Sequence, residues 1–446
     1  MPVYSRLRRA LLSDGATIVA ASFFVQSGLR VVSNLILTRL LYPEAFGLMS
    51  IVSSVLIVLE LSSDFGIKAF LIRHPSLGPE VLDTTWTIQV IRNAVLTLIL
   101  VCLAQPISHF YGRSELSGAL LLISLNIAIG GVRSISYFVA EREQRFFKIS
   151  MLETSLFLLQ IVITVALAYF LKSYWALLIA SILSTAATTV ASYVAFPNSI
   201  RRFSINRDVF RNLWAFSSII IPSSILHLVI SQSDKLLIGK AFDLHVLGVY
   251  SIAASMVAMF TQLAGKIIVS VMYPRLAKAF RETPDRMNQA FYKERTKFVP
   301  ILLFATSIFF PLGPLVFSIL YDSRYSAGGQ YFVVLLLIPV LKIISQSSEI
   351  CLAAMGRIKA SLAANLMRAV WLGVTFFPLY LGFHIWGVLS CIALAELPAL
   401  IYFMAKLKQI GIFDYWREVG AIFYVGAGVS LGFLVVLLGT MAFQIF

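Results

Sequence analysis

Six polar residues set in otherwise apolar stretches carry the chemistry this sequence offers. Gln26, Arg30 and Asn34 recur every four residues, so a helix through them shows all three on one face. His227, Ser231 and Lys235 repeat that spacing in a later apolar run. The two columns are related by the step of 201 residues that separates Gly47 from Gly248 in two similar turns. A charge on a helix at mid-membrane depth costs at least about 2.5–3.5 kcal/mol, so Arg30 and Lys235 are expected to face a bundle interior or water. Hydrogen bonding between helices would use the same side chains as glue. A base on matched faces of two matched helices favours a cavity lining.

Other charges lie within apolar runs: Glu60, Asp64 and Lys68 as one four-residue column; Arg92; Arg133; Asp234; Lys266; Lys342 and Glu349; Arg368; and Glu396. For the first column an internal ion-pair network is an equal alternative, and Lys68 and Lys342 lie near span ends, where they can snorkel. Bases exceed acids by a small margin, which favours an anionic cargo, and the arginine fork can hold two phosphate oxygens at once. The expected substrate contacts are Gln26, Arg30, Asn34, Arg92, Arg133, His227, Ser231, Lys235, Lys266 and Arg368. Asp64, Asp234, Glu349 and Glu396 are the expected coupling residues, exchanging H⁺ or Na⁺. His227 serves packing as readily as proton exchange, and His74, His109, His245 and His384 fall in or near turns. Cys102, Cys351 and Cys391 sit in apolar segments at unrelated spacings, which argues against a disulfide framework or a zinc site. No cofactor and no metal are expected.

The elements that must position these residues are membrane helices. The chain has 446 residues, 59% hydrophobic and 13% charged, against about 25% charged in soluble domains. Runs of about 20 apolar residues span a bilayer as helices. Spans are expected at 14–40, 44–72, 82–108, 115–140, 148–171, 174–196, 208–239, 244–274, 296–321, 327–355, 358–382, 384–406 and 418–445. The first is too long for a secretory signal core and is read as retained. Lys and Arg alternate strongly between the connections, 24 on the N-terminal side against 5 on the other. That asymmetry puts the N-terminus in the cytoplasm of a plasma (inner) membrane protein and, after thirteen spans, the C-terminus outside. The net charge of +15 is spread between apolar runs and forms no basic face, so nucleic acid is not an expected partner. Nucleotide-binding loops of the G-x-x-x-x-G-K type and H-E-x-x-H zinc helices are absent from the sequence.

The halves correspond. Arg39 to Ile51 matches Lys240 to Ile252; Lys148-Ile-Ser150 matches Lys359-Ala-Ser361; Tyr174-Trp175 matches Ile385-Trp386. With six spans in each, the copies enter from the same side and form a parallel repeat, an arrangement transporters use with the substrate site between repeats. The expected architecture is all-α: an N-lobe over 1–200, a C-lobe over 201–410, and an additional span over 411–446.

Thr38-Arg39-Leu-Leu-Tyr-Pro43-Glu-Ala-Phe46-Gly47, Asp64-Phe-Gly66 and Ala140-Glu-Arg-Glu-Gln-Arg-Phe-Phe-Lys148 carry a family resemblance. Ser231-Gln-Ser-Asp234-Lys235-Leu-Leu-Ile-Gly239 and Leu247-Gly248-Val-Tyr250 carry it into the second half. Across spans 1 to 12 the chain resembles the polysaccharide transporter (Wzx-like oligosaccharide flippase) branch of the multidrug/oligosaccharidyl-lipid/polysaccharide superfamily. The resemblance implies two six-helix lobes around a cavity lined partly by the first helix of each lobe. It also implies a cargo, an oligosaccharide on an undecaprenyl-diphosphate type carrier, flipped by alternating access. Membrane lipids, with polysaccharide polymerase or export machinery, are the partners it implies. The thirteenth span departs from the even counts usual in the superfamily. Two other readings stand beside it. A cation-coupled multidrug exporter of the same superfamily would put acids in the cavity stripes, and a polytopic glycosyltransferase, ligase or polymerase would need a large outer loop. The short connections favour a transporter over an enzyme.

Overall fold

The structure, a computed structural model, describes residues 15–63, 65–196, 200–357 and 359–445, with some side chains near 15–20, within 219–230 and beyond 437 excepted. Among the described residues there is no strand. Contacts divide the chain into two compact units, residues 1–228 with 235–248, and residues 229–234 with 249–446. The division falls within a helix and at Gly248, and the C-terminal helix belongs to the second unit.

The first unit contains α1 (Gly15–Leu40), α2 (Pro43–Ser62), α3 (Ile67–Arg73) and α4 (Pro79–Tyr111). It continues with α5 (Glu115–Gly131), α6 (Ser136–Arg142), α7 (Phe146–Leu171) and α8 (Trp175–Val194). Next comes α9 (Arg207–Ala241), whose N-cap Asn206 accepts from the main-chain N–H groups of Asp208 and Val209. Pro43 and Pro79 open α2 and α4, where a missing N–H costs nothing. The second unit takes up α10 (Leu244–Ile267) after Gly248 and runs on through a π turn at Ile268–Met272 and α11 (Tyr273–Glu282). After these come α12 (Met287–Ser307), α13 (Phe309–Leu320), α14 (Ala327–Leu335) and α15 (Leu337–Ala354). The chain ends with α16 (Lys359–Ala393), α17 (Leu397–Gln409) and α18 (Tyr415–Ile445).

Among the described residues, eight helical stretches are long and apolar enough to cross a membrane, ten if each of two bent pairs counts as one span. The chain is a multi-pass membrane protein, and each of the thirteen expected spans falls on helix. Two expected spans share the run from Lys359 to Gln409, which is broken at His384 by a φ of 51°.

Several expected helices are not continuous. Span 2 breaks after Ser62, Gly66 takes a left-handed φ of 63°, and α3 restarts at Ile67. A right-handed helix cannot run through that conformation, which glycine adopts without steric penalty. The expected Glu60–Asp64–Lys68 column therefore does not exist as one helical face. Lys68 pairs instead with Glu141 of α6 at 2.8 Å, and Asp64 lies outside the described residues. Span 4 is likewise two helices, α5 and α6, bent by 57°.

The matched turns meet within the first unit. A Cβ on Gly47 would strike the main chain of Leu244, and a Cβ on Gly248 would strike the main chain of Pro43. Pro43 and Leu244 are equivalent positions of the repeated segment, so the contact is reciprocal. Arg113 adds a bond from Nη2 to the Phe242 oxygen at 3.1 Å, and Tyr111 one to the Leu236 oxygen at 3.3 Å.

In the second unit α18 is held by an ion pair. Arg295 on α12 meets Glu418 at 2.6 Å, with side chains only 5% and 6% exposed. The Tyr292 hydroxyl donates to the same carboxylate at 2.9 Å, and Arg295 also donates to Ser348 Oγ at 3.0 Å. Gly428 and Gly432 let α18 lie directly against Phe304, Ser307 and Ile308.

Candidate functional site

The break between α5 and α6 frees main-chain groups from the helical ladder, and neighbouring side chains take them up one by one. Gln89 on α4 donates from Nε2 to the oxygens of Gly131 and Arg133, each at 2.9 Å. From α8, Thr189 donates to the Ile129 oxygen at 3.2 Å and Tyr193 to the Val132 oxygen at 2.5 Å. Ser192 Oγ accepts from the Ser134 N–H at 3.0 Å. Irregular backbone inside a membrane protein is tolerated where it is buried or lines a water-filled cavity. Here it does both.

Beside the break lies a cavity of 540 Å³ within the first unit. Lys68, Arg92 and Arg133 supply its cations, and Glu60 is the acid among its lining residues. Gln89, Asn93, Asn126 and Gln160 contribute amides, while Ser181, Ser184, Thr185, Thr188 and Thr189 make α8 a wall of hydroxyls. Arg92 is oriented by the helix end across from it: Nε donates to Ser63 Oγ at 3.1 Å and Nη2 to the Glu60 oxygen at 2.6 Å. Arg133 lies over the Tyr137 ring at 4.6 Å, and its Nε is buried with no hydrogen-bond partner. A further cavity of 320 Å³ shares Arg133, Gln160 and Thr188 and is also lined by Gln26. Together they offer two guanidinium groups for an anion and many neutral donors and acceptors for a polyol. Volumes of this order are those of small-molecule sites.

The structure brings some expected residues together and separates others. Arg92, Arg133 and Gln26 line these adjoining cavities. Gln26 donates to Thr154 of α7 at 3.2 Å, and Arg30, exposed, lies 5.8 Å from the Phe157 ring of the same helix. The first column thus touches α7, and Arg30 and Asn34 are not among the residues lining the cavity. Ser231, Lys235 and Lys266 are half-buried, and the side chain of His227 lies outside the described residues. Asp234 accepts from the Tyr250 hydroxyl at 2.5 Å, while its other oxygen is buried without a partner. Arg368 and Glu396 face each other in a two-pronged buried pair at 2.9 and 2.5 Å, with Lys342 3.6 Å from the same carboxylate. Glu349 is half-buried on α15.

The sequence reading missed the neutral wall. Its signal was present: Ser181, Ser184, Thr185, Thr188, Thr189 and Ser192 recur at helical spacing along one face of α8. Gln89, Arg92 and Asn93 do the same on α4. Of these only Arg92 stood out in the sequence, because an uncharged amide or hydroxyl in an apolar run is common.

The fold of these helices is that of the multidrug/oligosaccharidyl-lipid/polysaccharide transporters of known structure. The chain belongs to the polysaccharide biosynthesis protein family, whose family model matches residues 36–327. It is similar to the amylovoran biosynthesis protein AmsL of Erwinia amylovora, 24% identical over 68% of this chain and 78% of that one. It is also similar to the lipopolysaccharide biosynthesis protein WzxC of Escherichia coli (strain K12), 25% identical over 64% of this chain and 58% of that one. The matched segment thus spans little more than half of the latter. Among solved structures, the lipid II flippase MurJ in an inward closed conformation superposes with a TM-score of 0.71. That match covers 94% of this chain and 92% of that one at 14% identity, a likeness of fold.

Proposed function

We propose that the protein flips a polyprenyl-diphosphate-linked oligosaccharide, a polysaccharide repeat unit, from the cytoplasmic to the outer face of the plasma membrane by alternating access. The observation that carries this reading is the cavity that pairs Arg92 and Arg133 with a wall of amides and hydroxyls. Guanidinium groups bind phosphate oxygens with two parallel bonds, and neutral amides and hydroxyls match sugar hydroxyls. AmsL is an amylovoran biosynthesis protein and WzxC a lipopolysaccharide biosynthesis protein, and membership of the polysaccharide biosynthesis protein family supports a glycan cargo. The cavity's cationic balance speaks against a cationic drug as cargo.

In this reading the diphosphate meets Arg133, whose buried Nε has no other partner, and Arg92, which α2 already orients. The sugars follow along α8 while the lipid chain stays in the bilayer. Transport needs no bond broken in the cargo, so the protein acts as a transporter and not as an enzyme. Direction comes from exchange of H⁺ or Na⁺, with Asp234 the foremost candidate because one carboxylate oxygen is buried without a partner. The excess of Lys and Arg on alternate connections supports a cytoplasmic N-terminus. The test is the export of surface glycan in a deletion strain carrying the Arg92→Ala and Arg133→Ala variants. The reading expects both to lose export while remaining in the membrane at normal abundance. Unimpaired export in the double variant would remove the cavity from the transport path.

A further inference from the structure

A larger cavity, of 770 Å³, lies at the end of the first unit where α4 and α7 begin and α8 ends. Its lining is mixed: Leu82, Val139 and Phe196 are apolar, Arg145 and Arg201 are basic, and Glu143 is acidic. Lys148 lies 5.2 Å over the Phe196 ring and adds a third base nearby. Two acids act on these bases. Glu143 is paired with Arg145 at 2.7 Å, and Asp83 acts on Arg201 from α4.

Arg201 is the informative residue. One nitrogen, Nη2, donates to Ser136 Oγ at 3.3 Å, but Nε is buried with no hydrogen-bond partner. Burial pushes its pKa below the ordinary arginine range, since the charge has lost water without gaining a close carboxylate. A guanidinium in that state, beside apolar side chains, has the chemistry of an incomplete anion site. The surroundings identify the kind of anion. Ile200 at the cavity is 84% exposed, and Phe203, its ring tilted against that of Trp86 with centroids 4.9 Å apart, is 71% exposed. Large apolar side chains this exposed, at the end of membrane helices, sit comfortably at the level of lipid headgroups. The site also lies at the end of the unit where the bases are concentrated, which the positive-inside asymmetry places at the cytoplasmic leaflet.

We propose that this cavity binds the phosphate-bearing headgroup of a membrane lipid, with the phosphate on Arg201 and Arg145 and the first methylenes on Phe196, Leu82 and Val139. The site is separate from the cavity between α4 and α8 and does not depend on the transported cargo being a sugar. It would anchor the first unit to anionic lipid.

The test is native mass spectrometry of the full-length protein in detergent. Phosphatidylglycerol is titrated against phosphatidylcholine with identical chains, and inorganic pyrophosphate and polyprenyl phosphate are added as competitors. Phosphatidylglycerol should be retained in preference to phosphatidylcholine, with Arg201→Gln and Arg145→Gln each weakening the preference about fivefold, as expected for one base acting on a headgroup. Arg145 is half-exposed, so its variant keeps the test valid if Arg201→Gln unfolds. Pyrophosphate should compete weakly. Stronger competition by polyprenyl phosphate would support the site and identify its occupant as the lipid carrier; weaker competition would support it with bulk anionic lipid as occupant. Equal retention of the two phospholipids, retention unchanged by both substitutions, or full displacement by pyrophosphate would overturn the proposal.

Discussion

The side-chain amide of Gln89 lies 2.9 Å from the main-chain oxygen of Arg133, and the same nitrogen reaches the oxygen of Gly131 at 2.9 Å. One residue on α4 thereby closes the end of α5 and fixes the backbone that carries the cavity's least-satisfied arginine. The bent helix and the cavity lined by Arg92 and Arg133 are one construction.

Replacing Gln89 with Leu leaves those two oxygens without their donor. A buried acceptor stripped of its partner costs about 1–3 kcal/mol. The variant should show a lower unfolding temperature in detergent and reduced glycan export. Retention of full thermal stability would mean that water replaces the amide.

Arg92→Lys keeps a positive charge but loses the planar fork that bonds Ser63 and the Glu60 oxygen together. Export should fall by about tenfold or more, in line with the loss of one charge-assisted hydrogen bond. Comparison with Arg92→Ala in the same glycan assay separates charge from shape, and equal activity of Lys and Arg would show that charge alone suffices.

Glu418→Gln should destabilise the second unit by about 3–5 kcal/mol, because it leaves Arg295 charged and buried. Abundance in the membrane and unfolding temperature report the effect. A double change, Arg295→Met with Glu418→Leu, should recover much of the loss. Failure of that recovery would show that the pair has a role beyond holding α18.

Gly248→Ala tests the reciprocal turn contact. Its Cβ would meet the main chain around Pro43, and overpacking of this kind costs about 1–3 kcal/mol. Gly47→Ala should behave alike by the symmetry of the repeat. Sensitivity of one position and tolerance at the other, read from membrane abundance, would break the equivalence.

Much of the architecture was legible because lipid permits few solutions. Apolar length located the helices, and the repeat of Gly47 at Gly248 marked a contact the fold uses. The breaks were missed although Ser62-Ser-Asp-Phe-Gly66 and Gly131-Val-Arg-Ser-Ile-Ser136 carry turn-forming residues, because the apolar stretches on either side make each longer run read as one span. The main-chain groups freed at the second break are met from elsewhere in the sequence by Gln89, Thr189, Ser192 and Tyr193, and at the first by Arg92 on the Glu60 main-chain oxygen and Ser217 on that of Phe65. The site was half legible for a related reason. Arg92 and Arg133 stood out because charge in lipid is costly, whereas the hydroxyls of α8 cost little and drew no notice. Arg368 and Glu396 stood out equally and turned out to face each other, a pairing that separation in sequence conceals.

The most direct measurement is the leaflet distribution of the lipid-linked oligosaccharide in cells, read by labelling with a membrane-impermeant reagent. With the protein present, labelled material should appear on the outer face. In a strain lacking it, and with Arg92→Ala/Arg133→Ala inserted at normal abundance, the same lipid should accumulate unlabelled on the cytoplasmic side. An unchanged distribution together with loss of a small-molecule efflux activity would contradict the account.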